Sequence, residues 1–259
     1  MNDREFMKNA RRILAFAVLL AFVACLPAAA QRKPKHPEKD PQYQCEKGRV
    51  ALTYGLTDEA IRYGNMAIAL DPKCYDGHSL LGNAYYKKGD FAQAAAAFEK
   101  AVALRPELAE SRVNLALVLF ETGDMDRAEA ELKQADAIKP DATISFYLAK
   151  IYFNQKKYEP ALVEIQKSIS GNPGNSGTYN IKGVILNELQ RYPEAIGSFQ
   201  AGLVLAPEDV NLQINLGIAY VNNKEPDKAR PILEKVLPNV KDAVLKARID
   251  DFLKSIKTP

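Results

Sequence analysis

The sequence predicts an all-α chain in which one helix–turn–helix unit is copied six times. Three periodic tracks carry that expectation. Alanines stand at Ala60, Ala94, Ala128, Ala161, Ala195 and Ala229, in steps of 34, 34, 33, 34 and 34. Prolines stand at Pro72, Pro106, Pro140, Pro173 and Pro207, in steps of 34, 34, 33 and 34. A small residue recurs in the same rhythm at Gly48, Gly82, Ala116, Ala149, Gly183 and Gly217. One period shared by three tracks marks a repeat architecture.

The unit is clearest at 75–108. Leu81, Gly82 and Tyr85 recur at helical spacing, and Gly89 and Asp90 then break the helix. Ala94, Phe98 and Ala101 carry a second helix that Pro106 closes, since proline lacks the N–H to continue. Small residues let the two backbones approach, and Leu81, Tyr85 and Phe98 fill the space around them. A 34-residue helix–turn–helix period with these positions resembles the tetratricopeptide repeat family. The resemblance implies a right-handed superhelix, an α-solenoid, of six repeats at 41–74, 75–108, 109–141, 142–175, 176–209 and 210–241.

There are departures from the family pattern. A large residue is common four positions before the first small one, and here that site holds Gln44, His78, Arg112, Ser145, Tyr179 and Gln213. Repeat one carries Lys47, Ala51 and Gly64 where repeat two has Leu81, Tyr85 and Phe98. Repeat six has Lys241 at the closing proline position and Pro231 inside its second helix. End repeats that depart in this way suit capping units. Pro160, Pro193 and Pro226 head the second helices of the last three repeats, where proline costs little.

The ends of the chain read differently. Lys8, Arg11 and Arg12 precede an apolar run from Ile13 to Leu26, which Pro27 breaks before Ala28, Ala29 and Ala30. That is the pattern of an export signal over 1–30, cleaved after Ala30 to release a periplasmic protein. Ala21 to Cys25 also resembles a bacterial lipoprotein box, with Phe22 in place of its usual Leu. Lipidation of Cys25 is the alternative, giving an outer-membrane lipoprotein and the one expected route to membrane association. Residues 31–40, with two prolines ahead of Pro41 and mixed charge up to Asp40, read as a flexible tether. Over 242–259, Leu245, Ile249, Phe252, Leu253 and Ile256 form one apolar stripe, which predicts a C-terminal helix capping the last repeat.

Composition narrows the function. The formal net charge is +3, and it falls to +1 without the first thirty residues. No basic field argues for nucleic acid. The two histidines, His36 and His78, have no metal-ligand spacing, and no glycine-rich loop precedes a helix as in phosphate cradles. No segment is left over for a catalytic domain, so neither an enzyme nor a cofactor is expected. Acidic residues such as Glu129 and Glu131 are read as solvated.

The resemblance implies a concave groove lined by first helices. At about 100° per residue, positions 2, 5, 9, 12 and 13 of each first helix share a stripe away from the packing residues. That stripe, with Asn114 beside it, nominates Asn83, Tyr86, Lys87, Asn114, Phe120, Glu121, Phe146, Lys150, Phe153, Asn154, Asn180 and Asn187 as groove residues. Aromatic rings suit apolar anchors of a peptide, and asparagines suit its backbone. The chaperone-tail clamp of some family members is not expected. Asn83 and Asn114 match it, but Ser79, Thr143 and Tyr147 stand where its charges belong. Cys45 and Cys74 fall at ends of antiparallel helices that meet, and an oxidising compartment would join them as a disulfide.

The expected function is an exported scaffold or adaptor that holds a peptide or partner protein, in bacterial envelope assembly. Its repeat number and export signal also resemble pilotin-like assembly factors of type IV pilus systems. The alternative is a cell-wall or glycan binder.

Overall fold

A computed structural model describes residues 37–255. The expected export signal, Cys25, most of the expected tether and Ile256 lie outside the described residues. Among the described residues every regular element is helical. After a 3₁₀ turn at Pro37–Lys39 come first and second helices in pairs. The pairs are α1 (Pro41–Thr53) with α2 (Thr57–Leu70), α3 (Tyr75–Lys88) with α4 (Phe91–Leu104), and α5 (Ala109–Thr122) with α6 (Met125–Ile138). They continue as α7 (Ala142–Asn154) with α8 (Tyr158–Gly171), α9 (Ser176–Glu188) with α10 (Tyr192–Leu205), and α11 (Val210–Asn222) with α12 (Pro226–Val236). A 3₁₀ turn at Leu237–Asn239 leads to α13 (Ala243–Ser255). The chain divides into two compact units, 1–80 and 81–259.

Local chemistry starts and stops these helices. Asp40, Asp141, Asn175 and Asp209 cap first helices, and Asp90 and Asp124 cap second ones. Each side-chain oxygen accepts from a backbone N–H of the first turn, worth about 1 kcal/mol. The turn inside every repeat has one geometry. Its central residue is left-handed at Gly55, Gly89, Gly123, Lys156, Gln190 and Lys224, with φ between 59° and 85°. The N–H that follows donates five residues back, as from Asp124 to Leu119 and from Lys157 to Tyr152, at 2.9 and 2.8 Å. This is the Schellman stop. Its periodicity is hidden in the sequence because the last three repeats use Lys, Gln and Lys where the first three use Gly.

The alanine track is the seam. Ala60, Ala94, Ala128, Ala161, Ala195 and Ala229 are all fully buried. In the second unit a large second-helix residue drives into the small first-helix residue of its own repeat. A Cβ added at Gly82 would stand 2.6 Å from the Phe98 ring, and one at Gly217 would stand 2.6 Å from Leu233. Gly183 meets the Phe199 ring in the same way. In the first unit Gly64 sits at the Phe98 position, and Leu80 of the following helix fills the space over Gly48 instead. Ile249 of α13 is buried with Ile214, Leu233, Val236 and Val240, while Leu245, Phe252 and Leu253 pack against them.

The polar residues that depart from the family pattern have a structural use. Gln44 donates to the Glu38 carbonyl at 2.7 Å, Arg112 to the Pro106 carbonyl at 3.3 Å and Gln213 to the Pro207 carbonyl at 2.7 Å. The His78 Nε2 lies 3.0 Å from the Pro72 carbonyl. Each reaches back six residues to the corner that enters its own helix. The expectation that Glu129 and Glu131 are merely solvated is corrected. Glu131 pairs with Arg112 at 2.8 Å, and both side chains are largely buried at 21% and 13% exposure. Glu129 accepts from Lys133, Tyr152 and Gln155. Helix counting alone does not show these carboxylates a partner in the neighbouring helices.

Candidate functional site

The first helices of repeats two to four, α3, α5 and α7, carry an aromatic face within the second unit. The Phe120 and Tyr147 rings meet edge to face at 5.6 Å, and Tyr147 meets Phe146 edge to face at 5.3 Å. These separations and angles are the favourable ones for ring quadrupoles. The Lys150 ammonium lies over all three rings, 4.5 Å from Phe120, 5.4 Å from Tyr147 and 5.7 Å from Phe146. Burial raises the Tyr147 hydroxyl pKa above its ordinary value, and the charges of Tyr86 and Glu121 add to the shift. Tyr86 is raised by burial and by Glu121. Tyr86, Glu121 and Tyr147 therefore share one neighbourhood.

These rings are half-buried, not free groove walls. Tyr86, Phe120 and Tyr147 rest on the core of Leu115, Leu119 and Leu148, and keep their other sides open. A hollow of about 210 Å³ opens beside them, lined by Ala142, Thr143, Phe146, Tyr147, Ser168, Asn172 and Asn175. Phe153 pairs its ring with Tyr158 of α8 at 5.7 Å, and it packs with Phe146 against the core of Ala149, Ala161 and Ile165. Tyr86 also pairs with Phe91 at 5.7 Å. Tyr147 joins the face unannounced by the stripe count, because position 6 lies outside it. Its place next to Phe146, one turn before Lys150, was the available signal.

The polar nominations divide. Asn83 and Asn114 are half-buried on the same first helices, and Lys87, Glu121 and Asn154 are exposed. The side-chain oxygens of Asn180 and Asn187 are engaged: they accept from Asn215 at 2.8 Å and Asn222 at 3.0 Å. These amides tie α9 to α11. In the first unit the stripe is also occupied. Asp76 accepts from Gln42 at 3.0 Å and from Arg49 at 3.3 Å, and Arg49 also pairs with Glu46. Cys45, a stripe position, is fully buried and faces Cys74. The structure holds the two as thiols, their sulfurs 3.8 Å apart. Burial, with the neighbouring Cys74, pushes the Cys45 thiol up to about 12.

A second hollow, about 850 Å³, is lined by Leu162, Val163, Gln166, Lys182, Leu186 and Arg191 from α8 to α10, with four more polar residues. Among the described residues no three His, Cys, Asp or Glu side chains gather as a metal site would require. No helix among them is long and apolar enough to cross a membrane.

Paired helices, a small-residue seam and a first-helix face of rings define a repeat scaffold of the α-solenoid class. Tetratricopeptide repeat models match residues 79–143 and 186–249, and the chain carries tetratricopeptide repeats there. Proteins of this family are in general non-catalytic scaffolds for protein and peptide partners. Three solved structures illustrate the likeness of fold. The Cut9–Hcn1 hetero-tetramer of the APC/C aligns with TM-score 0.69 and 21% identity over 85% of this chain. The present chain spans 43% of that one, less than half its length. The Pseudomonas aeruginosa pilF structure aligns with TM-score 0.74 and 16% identity, over 84% of this chain and 100% of that one. YrrB, described as a TPR protein with an unusual peptide-binding site, aligns with TM-score 0.63 and 17% identity, over 73% and 97% of the two chains. No curated protein sequence matches the chain.

Proposed function

We propose that this chain is an exported adaptor that holds a segment of a partner protein on the aromatic face of repeats two to four. The observation that carries the reading is the run Phe120–Tyr147–Phe146 under Lys150, half-buried and backed by two adjoining stretches of core. Rigid rings present large contact area at little entropic cost, which makes them effective anchors. The face offers no nucleophile–base pair, which supports a binding role over an enzymatic one. The glycan alternative would use the same rings as a stacking surface, and experiment separates the two.

Export and envelope assembly complete the proposal. They rest on the basic, apolar and Ala28–Ala30 pattern of the first thirty residues and on the resemblance to pilotin-like factors. In an oxidising envelope Cys45 and Cys74 would give two protons and two electrons to a disulfide oxidant and close a bond. The intact mass of the exported protein tests the address. A mass beginning at Gln31 supports cleavage, whereas one beginning at Cys25 with acyl chains replaces it with the lipoprotein reading. Capture of a secretin or pilus subunit from an envelope extract, lost in Phe120→Ala, tests the function. Retention on purified cell wall with no protein captured would overturn it in favour of the glycan reading.

A further inference from the structure

We propose that Lys150 makes the aromatic face selective for an acidic peptide segment, one that places a carboxylate beside a large apolar side chain. The inference rests on the protein-binding reading above and names the chemistry of its partner.

Lys150 differs from other lysines of the second unit. Lys133, Lys167 and Lys228 each meet a carboxylate, at 2.6, 2.7 and 2.6 Å. Lys150 is half-buried, and its neighbours are three rings. Ring faces attract an ammonium through their quadrupoles, but they offer its three N–H donors no lone pair. A ligand carboxylate supplies one and forms a charge-assisted hydrogen bond. Phe120, Tyr147 and Phe146 also hold the ammonium in place, so less side-chain freedom is lost on binding.

The apolar half of the ligand follows from the half-buried rings themselves, which offer apolar contact around Lys150. The hollow beside Phe146 and Tyr147 is lined also by Thr143, Ser168, Asn172 and Asn175, and at about 210 Å³ it is smaller than the pockets that enclose whole small molecules. Lys150, over the three rings, sets where the ligand's acid falls.

Selection of a display library of random peptides on the purified protein tests this. Enriched peptides should carry Asp or Glu next to Phe, Tyr, Trp or Leu. Replacing that acid with its amide should weaken binding about tenfold, the loss of one charge-assisted contact. Lys150→Met should abolish the acid-over-amide preference, and Lys150→Arg should keep it, with the unfolding midpoint unchanged in both. Peptides that need Phe120 but show no acid preference, or whose preference survives Lys150→Met, overturn the inference and leave the face as a peptide site. Peptides that bind Phe120→Ala and Lys150→Met as well as wild type, or a library that yields no binder, overturn both. Self-association abolished by Lys150→Met overturns it too, and assigns the face to a second copy of this chain.

Discussion

Phe98 and Phe199 have a different fate from Phe120 and Phe146, although all four lie on amphipathic helices of the same repeat array. The first two sit on second helices, are 1% exposed, and point at Gly82 and Gly183. The other two sit on first helices and stay half-buried; Phe120 meets Tyr147 of the next repeat, and Phe146 meets it within α7. A ring opposite a glycine of its partner helix becomes core, because the missing Cβ leaves space that only the ring can fill. A ring with no such gap opposite it packs against other rings and stays at the surface. Repeat one has neither arrangement. With Gly64 at the ring position, it relies on Leu80 over Gly48 and on the buried Cys45–Cys74 pair.

The largest expected effect falls on the core rings. Phe199→Ala should cost about 3–5 kcal/mol in urea unfolding, the usual loss for a fully buried aromatic. A loss under about 1 kcal/mol would break the comparison, since the ring would then behave like a surface one.

Repeat one should respond next, through Cys45. In the reduced protein its folded-state pKa is raised from 9.0 to about 12. The unfolded chain then releases a proton that the folded chain keeps, so stability falls as pH rises through that window. Cys45→Ala should lack this loss, and so should protein oxidised to the disulfide. Closing the loop should add roughly 3–4 kcal/mol in the chain-entropy account. Thiol labelling in denaturant, with and without reductant, separates the two states. Bridged protein labels only after reduction, and full labelling before reduction would show that no bond forms.

The face rings should give a smaller change in stability and a larger one in binding. Phe120→Ala should cost about 1 kcal/mol of folding, as a half-buried side chain does. The same change should lose about thirtyfold in affinity for a selected peptide, on the order of 2 kcal/mol. A stability loss as large as that of Phe199→Ala would place Phe120 in the core.

The smallest effect concerns the turns. Lys156, Gln190 and Lys224 hold left-handed backbone that costs a side chain about 1 kcal/mol. Lys156→Gly should therefore raise stability by up to that amount, although glycine's greater freedom when unfolded offsets part of it. Gly123→Ala should lower stability, and the sign difference is readable in paired thermal melts.

Much of the fold was legible before any coordinates. Helix pairing, the alanine seam and the apolar stripe of α13 follow from residue size and period alone, because a repeat that stacks on copies of itself must keep a small residue at each close approach. The stripe count also put Tyr86, Phe120, Phe146 and Lys150 on first helices, where the structure has them. What it could not supply was partnership. Whether Asn180 and Asn187 face a ligand or Asn215 and Asn222, and whether the Phe153 ring meets Tyr158, depends on side chains about one repeat or one turn away, brought close only by stacking. The same holds for Leu80 over Gly48. The corner brackets at Gln44, His78, Arg112 and Gln213 and the turns of Lys156, Gln190 and Lys224 are local, but they escaped the reading because residue type does not announce them. Periodicity is a property of one helix and can be read along the chain. The choice of neighbour is a property of packing, and it was decided only when the helices came together.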